Sequence, residues 1–139
     1  MQAVFPDEMP DIRAYLRAHP FLSTFTAGRV FFRLPDRISA APFMRIYRSG
    51  GAVQLNSEVP LSDIRIAIEV WGQQNSDYGA VRGTVKAIEA IGHELVPGTV
   101  LGPNGTACLN INVTTAVDSP DPDTGWPRVV IDSIWTVRL

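Results

Sequence analysis

The side chains able to do chemistry are few and scattered. There are two histidines, His19 and His93, and one cysteine, Cys108. His19 stands at the end of a helical pattern just before Pro20, and His93 follows Gly92, which fits the end of another helix. Both positions suit helix capping better than proton transfer. Cys108 opens a strand pattern with no histidine next to it in sequence, so it reads as a buried or edge thiol rather than a nucleophile. A lone cysteine also excludes an intramolecular disulfide and a cysteine-based zinc site. Gly102-Pro103-Asn104-Gly105 has the outline of a phosphate loop, but it lacks a lysine and leads into a strand, so it reads as a turn. Asp118, Asp121 and Asp123 with Gly125 offer the hard oxygens of a calcium loop. Their spacing is wrong, however, and Pro120 and Pro122 interrupt them. Trp126 in the same loop is either an exposed binding anchor or packed over the hairpin. No nucleophile elbow, P-loop, dinucleotide fingerprint or His-Glu-x-x-His helix occurs. The expectation is a protein with no catalytic residue, no cofactor and no metal.

Composition narrows the class further. With 139 residues, 45% of them hydrophobic and 19% charged, the chain fits an ordinary packed core. No apolar run approaches the ~20 residues of a membrane helix. The first ten residues lack the basic and then apolar order of an export signal. The expectation is therefore use inside a cell, with no membrane partner. A net charge of −2 argues against a dedicated nucleic-acid binder. Of the twelve basic residues only Lys86 is a lysine. Arginine suits interfaces because its planar head carries several donors, although GC-rich coding produces the same bias.

The elements follow from periodicity, and one stretch dominates. From Asp63 to Trp71 the residues alternate: Ile64, Ile66, Ile68 and Val70 face one way, and Arg65, Ala67, Glu69 and Trp71 the other. The period then changes from two to 3.6, with Tyr78, Val81, Val85, Ile88 and Ile91 forming one helical stripe. Asn75 or Ser76 suits the N-cap of that helix. Gly79 and Gly83 weaken it by about 1 kcal/mol each relative to alanine, so packing must hold it.

Before this stretch, residues 1–10 with Pro6 and Pro10 are expected to be a flexible lead-in to a single domain spanning 11–139. Asp11 to His19 predicts a short helix stopped by Pro20. Phe21, Leu22 and Phe25 follow as an apolar anchor, and Arg29 to Phe32 as a short strand. Phe43 to Arg48 alternates with Phe43, Arg45 and Tyr47 on one face, and Ser49-Gly50-Gly51 signals a turn. Ala52 to Pro60 is a connection in which a Val-Gln-Leu extension fits. After a turn-rich segment at 97–105, Ala107 to Asp118 reads as a strand with Leu109, Ile111, Val113 and Val117 on one face. Arg128 to Arg138 is a second strand with Val129, Ile131, Trp135 and Val137 on one face. A proline-rich loop joins the two as a hairpin.

These elements predict an α+β fold: a two-layer sandwich in which a mixed, mostly antiparallel sheet carries two helices on one face. The reverse face would carry Arg65, Glu69, Asn110, Asn112, Thr114, Asp132 and Arg138 beside Trp71, Val130 and Ile134. That mixture is too polar for a second core and suits a subunit contact.

Three segments taken together resemble a known family. Asp11 to Pro35, Ala41 to Gly50 and Asp63 to Ile91 are similar to the tail terminator (tail-completion) proteins of long-tailed bacteriophages. The shared pattern is a short helix, a Gly28-Arg29-Val30-Phe31 strand, a strand after proline, a long strand ending in an aromatic and a polar turn, and a helix. The resemblance implies a non-enzymatic virion protein that forms a ring, usually a hexamer. Such a ring caps the tail tube, ends its polymerisation and offers the surface that joins the head. It implies as partners the chain's own copies, the major tail tube protein and a head-completion or neck protein, with DNA only as cargo through the lumen. The place would be the tail-neck junction of the virion, and the host cytoplasm during assembly. Candidate assembly residues are Arg13, Arg17, Arg45, Arg48, Arg65, Glu69, Trp71 and Trp126. Alternatives are another neck or head-closure ring protein, or a small cellular ligand-binding or enzyme domain.

Overall fold

The computed structural model of the chain describes residues 7–54 and 61–138. Most of the expected lead-in, residues 1–6, and residues 55–60 of the uncertain connection lie outside them. The described elements run α1 (Met9–Ala18), α2 (Pro20–Thr26), β1 (Val30–Phe31), β2 (Phe43–Gln54), β3 (Leu61–Trp71), α3 (Tyr78–Glu94), β4 (Thr99–Val100), β5 (Ala107–Asp118) and β6 (Arg128–Arg138). The strands form one six-stranded sheet in the order β1-β2-β3-β6-β5-β4. β1 runs parallel to β2, and every other neighbouring pair is antiparallel. The architecture is the α+β, mostly antiparallel sheet with a few helices against it that the alternating and helical patterns predict.

The core lies between one sheet face and the helices. Ile64, Ile66, Ile68 and Val70 of β3 are fully buried, and so are Met44 and Ile46 of β2 and Ile131 and Val137 of β6. Against them pack Ile12 and Leu16 of α1, Leu22 of α2, and Val81, Val85, Ile88 and Ile91 of α3. Burying each such side chain contributes roughly 1.5–3 kcal/mol. On the same face Ser133 is buried, donating to the Ile66 carbonyl at 2.8 Å and accepting from Trp135 Nε1 at 2.9 Å. A hydroxyl so paired costs little inside the core.

Four local features differ from the sequence expectation, each for a physical reason. Pro20 ends α1 but also opens a second helix, because proline fits a first helical turn where no intrahelical N–H bond is required. α1 itself begins at Met9 rather than Asp11. Ser49-Gly50-Gly51 is not a turn: β2 continues through it with a register shift between Arg48 and Gly50. Gly51 has φ +144°, and a Cβ there would stand 2.6 Å from the Asp63 carbonyl oxygen, so only glycine fits this bulge. The lead into α3 is a 3-10 turn, Asn75–Asp77. It is capped neither by Asn75 nor by Ser76. Instead the Asp77 carboxylate accepts from the N–H groups of Gln73 (2.8 Å) and Gln74 (3.1 Å).

β5 departs most. Its pairing with β6 shifts register between Cys108 and Asn110 and again between Val113 and Thr115. Each bulge inserts a residue and reverses the faces beyond it. Cys108, Ile111, Val113, Ala116 and Asp118 therefore stand opposite the helix-facing residues of β6. Val117, expected on the apolar face, stands opposite Val130 on the reverse face and is 56% exposed. Leu109 falls in the first bulge.

The two helix glycines separate into different roles. A Cβ on Gly79 meets nothing within 4 Å, whereas one on Gly83 would come 2.7 Å from the Phe25 ring of α2. Gly83 lets the α2 and α3 layers close; Gly79 only loosens the helix. Gly79→Ala should raise stability by up to about 1 kcal/mol. Gly83→Ala should lose that gain to overpacking against Phe25 and melt at or below the parent. Thermal melts of the two variants check the contrast.

Candidate assembly interface

Most of the residues that looked chemical are engaged in holding the fold; His93 instead lies in the last turn of α3, which continues past Gly92 to Glu94. His19 Nδ1 accepts the Phe21 N–H at 3.1 Å and so caps α2. Burial pushes the pKa of this ring down against the opposing pull of Glu94, which favours the neutral, accepting form. Cys108 is fully buried, and burial raises its thiol pKa to about 11, outweighing the opposing effect of a backbone hydrogen bond at Asn110. A thiol that stays protonated at neutral pH is a poor nucleophile.

The loop at 102–106 does bind an anion, but an internal one. Asp11 of α1 is fully buried, and its carboxylate accepts from the N–H groups of Asn104 (3.0 Å) and Thr106 (2.9 Å). Burial pulls its pKa up, and the backbone donors of Thr106 and Asn104 pull it further down, so the net shift is below the usual carboxylate range. Gly102 is required there, since a Cβ would stand 2.7 Å from Asp11 Oδ1 and 2.9 Å from its Cα. In the acidic hairpin loop, Asp121 Oδ2 accepts from Thr124 N (3.1 Å) and Thr124 Oγ1 (2.7 Å). The loop thus closes on its own carboxylate, while Asp118 accepts a hydrogen bond from the Tyr78 hydroxyl of α3. Among the described residues, no group of three or more His, Cys, Asp or Glu side chains converges as a metal site.

What remains is the sheet face turned away from the helices. Cross-strand pairing sets its rungs: Phe43–Trp71–Arg128, then Arg45–Glu69–Val130–Val117, then Tyr47–Ala67–Asp132–Thr115, then Gly50–Arg65–Ile134–Asn112. Three of the eight candidate residues, Trp71, Arg45 and Glu69, meet on the first two rungs, and a fourth, Trp126, packs against them from the hairpin loop. Glu69 is only 7% exposed, and its Oε1 accepts from Arg45 (3.4 Å) and from Trp71 Nε1 (3.2 Å). Trp71 stacks on Phe43 with centroids 5.9 Å apart and meets Trp126 edge-on at 6.5 Å. Arg128 lies over Trp71 at 5.0 Å and Arg45 over Tyr47 at 4.7 Å. The Gly72 N–H donates to the Pro127 carbonyl at 2.8 Å, which ties the hairpin loop over this end of the face. Trp126 is therefore half-buried against Trp71 rather than projecting from the loop tip.

Arg65 lies further along the same face, exposed, and makes no hydrogen bond or ion pair among the described residues. With Thr114, Thr115, Asp132, Ser133 and Ile134 it lines a shallow hollow of about 230 Å³. The other three candidates are elsewhere. Arg48 points to the helix side, pairing with Glu8 at 2.8 Å. Arg13 is turned inward: its Nε donates to the Val30 carbonyl at 2.7 Å, tying α1 to β1. Arg17 is exposed on α1 beside Gly28. Sequence reasoning missed Arg128 and Phe43 as members of the aromatic cluster. The alternation of each strand was readable, but their meeting at Trp71 depends on β3 lying between β2 and β6.

The chain matches the family model described as "Tail completion protein gp17" over residues 10–138. The chain belongs to this family. It is a structural protein of the virion, not an enzyme, and it works with the tail-assembly machinery. The alternative of a small cellular enzyme or ligand-binding domain falls with that membership. The fold of this tail completion protein is similar to that of a chain in the virion of a native gene transfer agent (GTA) particle, with a TM-score of 0.70, 12% identity and 92% of each chain covered. No curated protein matches the chain in sequence.

The internal carboxylate gives a direct test. Asp11→Ala leaves the Asn104 and Thr106 N–H groups without their acceptor and should cost about 2 to 3 kcal/mol. Because the folded pKa lies below the unfolded value of ~3.9, the stabilisation is present above that pH and is lost as pH falls through the folded pKa. Urea titrations at neutral pH and near pH 3 should show the gap between parent and variant shrinking in acid.

Proposed function

We propose that this protein closes the end of the phage tail tube as a ring of its own copies, usually six, and offers the opposite surface to a head-completion or neck protein at the tail-neck junction. On this reading it assembles in the host cytoplasm, and DNA passes the lumen only as cargo. Membership of the tail-completion family supports the place in the particle. The observation that carries the ring is the reverse sheet face. It mixes exposed Val117, half-buried Val130, Ile134 and Tyr47, and the charges of Arg45, Arg65 and Asp132, and among the described residues the hairpin loop covers only its Trp71 end. A closed ring needs two different patches on each subunit that fit each other, and a face of mixed polarity suits contacts that form late and reversibly.

The decisive experiment is electron microscopy of tails grown without this protein. Overlong tubes are expected; tails of normal length would end the capping reading. A second test is Arg65→Glu, which reverses an exposed charge. It should melt like the parent and weaken self-association about tenfold by light scattering. Normal melting with normal assembly would remove Arg65 from the interface.

A further inference from the structure

Charge is divided between the two flanks of the molecule. Residues 12–54, which run from α1 to the end of β2, carry seven arginines and one acid, Asp36. Residues 66–127, which run from β3 through α3 to the hairpin loop, carry seven acids and two bases, Arg82 and Lys86. The sheet order sets these segments apart, with β1 and β2 on one flank and β5 and β4 on the other. The helices keep to the same sides: α1 touches β1 and β2, and α3 touches β5, β6 and β3.

One rung of the sheet joins the two flanks. Val30, Met44, Val70, Val129 and Asp118 stand opposite one another across five strands. At its Val30 end lie Arg13, bonded to the Val30 carbonyl, Arg17 beside Gly28, and Arg33 three residues further along the chain. At its other end Asp118 leads into the loop of Asp121 and Asp123. The two ends are therefore level along the strands and four strand spacings apart, about 19 Å. Salt screens exposed charges beyond ~8 Å under physiological conditions. The flanks thus do little to neutralise each other within one chain.

The charges at both ends remain available. Arg17, Arg33 and Arg37 are exposed and form no hydrogen bond or ion pair among the described residues. Arg13 and Arg29 donate hydrogen bonds only to backbone carbonyls, which leaves their charge uncancelled. Asp118 accepts from the Tyr78 hydroxyl, a neutral donor, and exposed Asp123 has no side-chain partner among the described residues. Arg82 shares a hollow with Asp118 but lies over the Tyr78 ring, and no ion pair joins the two. Each flank also holds an exposed apolar side chain: Phe32 next to Arg33 is 39% exposed, and Val117 next to Asp118 is 56% exposed. An apolar centre with a charged rim is the usual composition of a protein contact.

We propose that the basic flank, Arg17, Phe32, Arg33 and Arg37, docks on the acidic hairpin flank, Val117, Asp118 and Asp123, of a second copy of this chain. A partner carrying a single sign of charge would suit one flank and be repelled by the other, whereas a copy of this chain suits both. The two flanks are level, so a rotation about an axis roughly along the strands brings one beside the other. Each copy then uses two unlike surfaces, and repetition closes a circle. The proposal rests on the ring reading above and adds the flanks to its contacts.

The test uses the full chain under conditions where light scattering shows an oligomer, either alone or on purified tail tubes. Two charge-reversed variants are compared: Arg33→Glu with Arg37→Glu on the basic flank, and Asp118→Arg with Asp123→Arg on the acidic flank. Circular dichroism melts confirm that both fold; if the acidic-flank variant does not, Asp123→Arg alone takes its place. Each variant by itself should associate at least tenfold more weakly than the parent. An equimolar mixture of the two should regain the oligomer, because the variants can alternate around a ring of even number. A chain carrying all the substitutions together should regain it as well. Parent-like association of either variant alone, or a loss that neither the mixture nor the combined chain restores, overturns the contact while leaving the ring. No oligomer of the parent under any condition overturns both.

Discussion

Everything in this molecule depends on the two unlike faces of β3. Its helix-facing row of Ile64, Ile66, Ile68 and Val70 is completely shut off from water, and all three helices reach it or its neighbours. A central strand so anchored fixes the register of β2 on one side and β6 on the other. A slip of one residue would carry the four apolar side chains to the outside. The other row of the same strand holds Arg65, Ala67, Glu69 and Trp71, which none of the described helices covers. The sheet therefore has an inside decided by hydrophobic burial and an outside where polar and aromatic groups must find partners among themselves, or in other chains.

The acids of the protein show how complete the internal satisfaction is. Asp11 fills the 102–106 loop, Asp77 caps the turn before α3, Asp121 closes its own hairpin loop, and Glu69 joins Arg45 to Trp71. Each sits where an isolated carboxylate would have been read as a ligand or a general base. Each instead accepts from backbone or side-chain donors within its own chain. Arginines divide more sharply. Arg13 and Arg29 are committed to backbone carbonyls inside the chain, whereas Arg65 has no such commitment among the described residues. The distinction between a structural and an available cation rests on those contacts and not on residue type.

Much of this was readable from the residues, and what was not has a common cause. Strict alternation in β3 and β6 and the 3.6-residue stripe of α3 gave their faces correctly, because burial on one side enforces the period. The aromatic cluster at Trp71 and the anion loop at Asp11 were not readable, since both join positions far apart in the chain. Local errors came from residues with two meanings. Pro20 both ends and begins a helix, and Gly50-Gly51 looks the same in a turn as in a bulge. In β5 two single-residue insertions reversed the faces, which put Val117 on the outside and Ala116 on the inside. Alternation alone carries no mark of such insertions when threonine and alanine fit either side.

The tie between the first helix and the 102–106 loop has a consequence for how the chain matures. The partners of Asp11 lie 93 and 95 residues downstream. During synthesis the N-terminal helix emerges long before its anchor exists, and a contact so distant in sequence is slow to form. The nascent segment must wait in a provisional state until about three quarters of the polypeptide has left the ribosome. A product cut short before the 102–106 loop would lack the lock that holds its first helix in place.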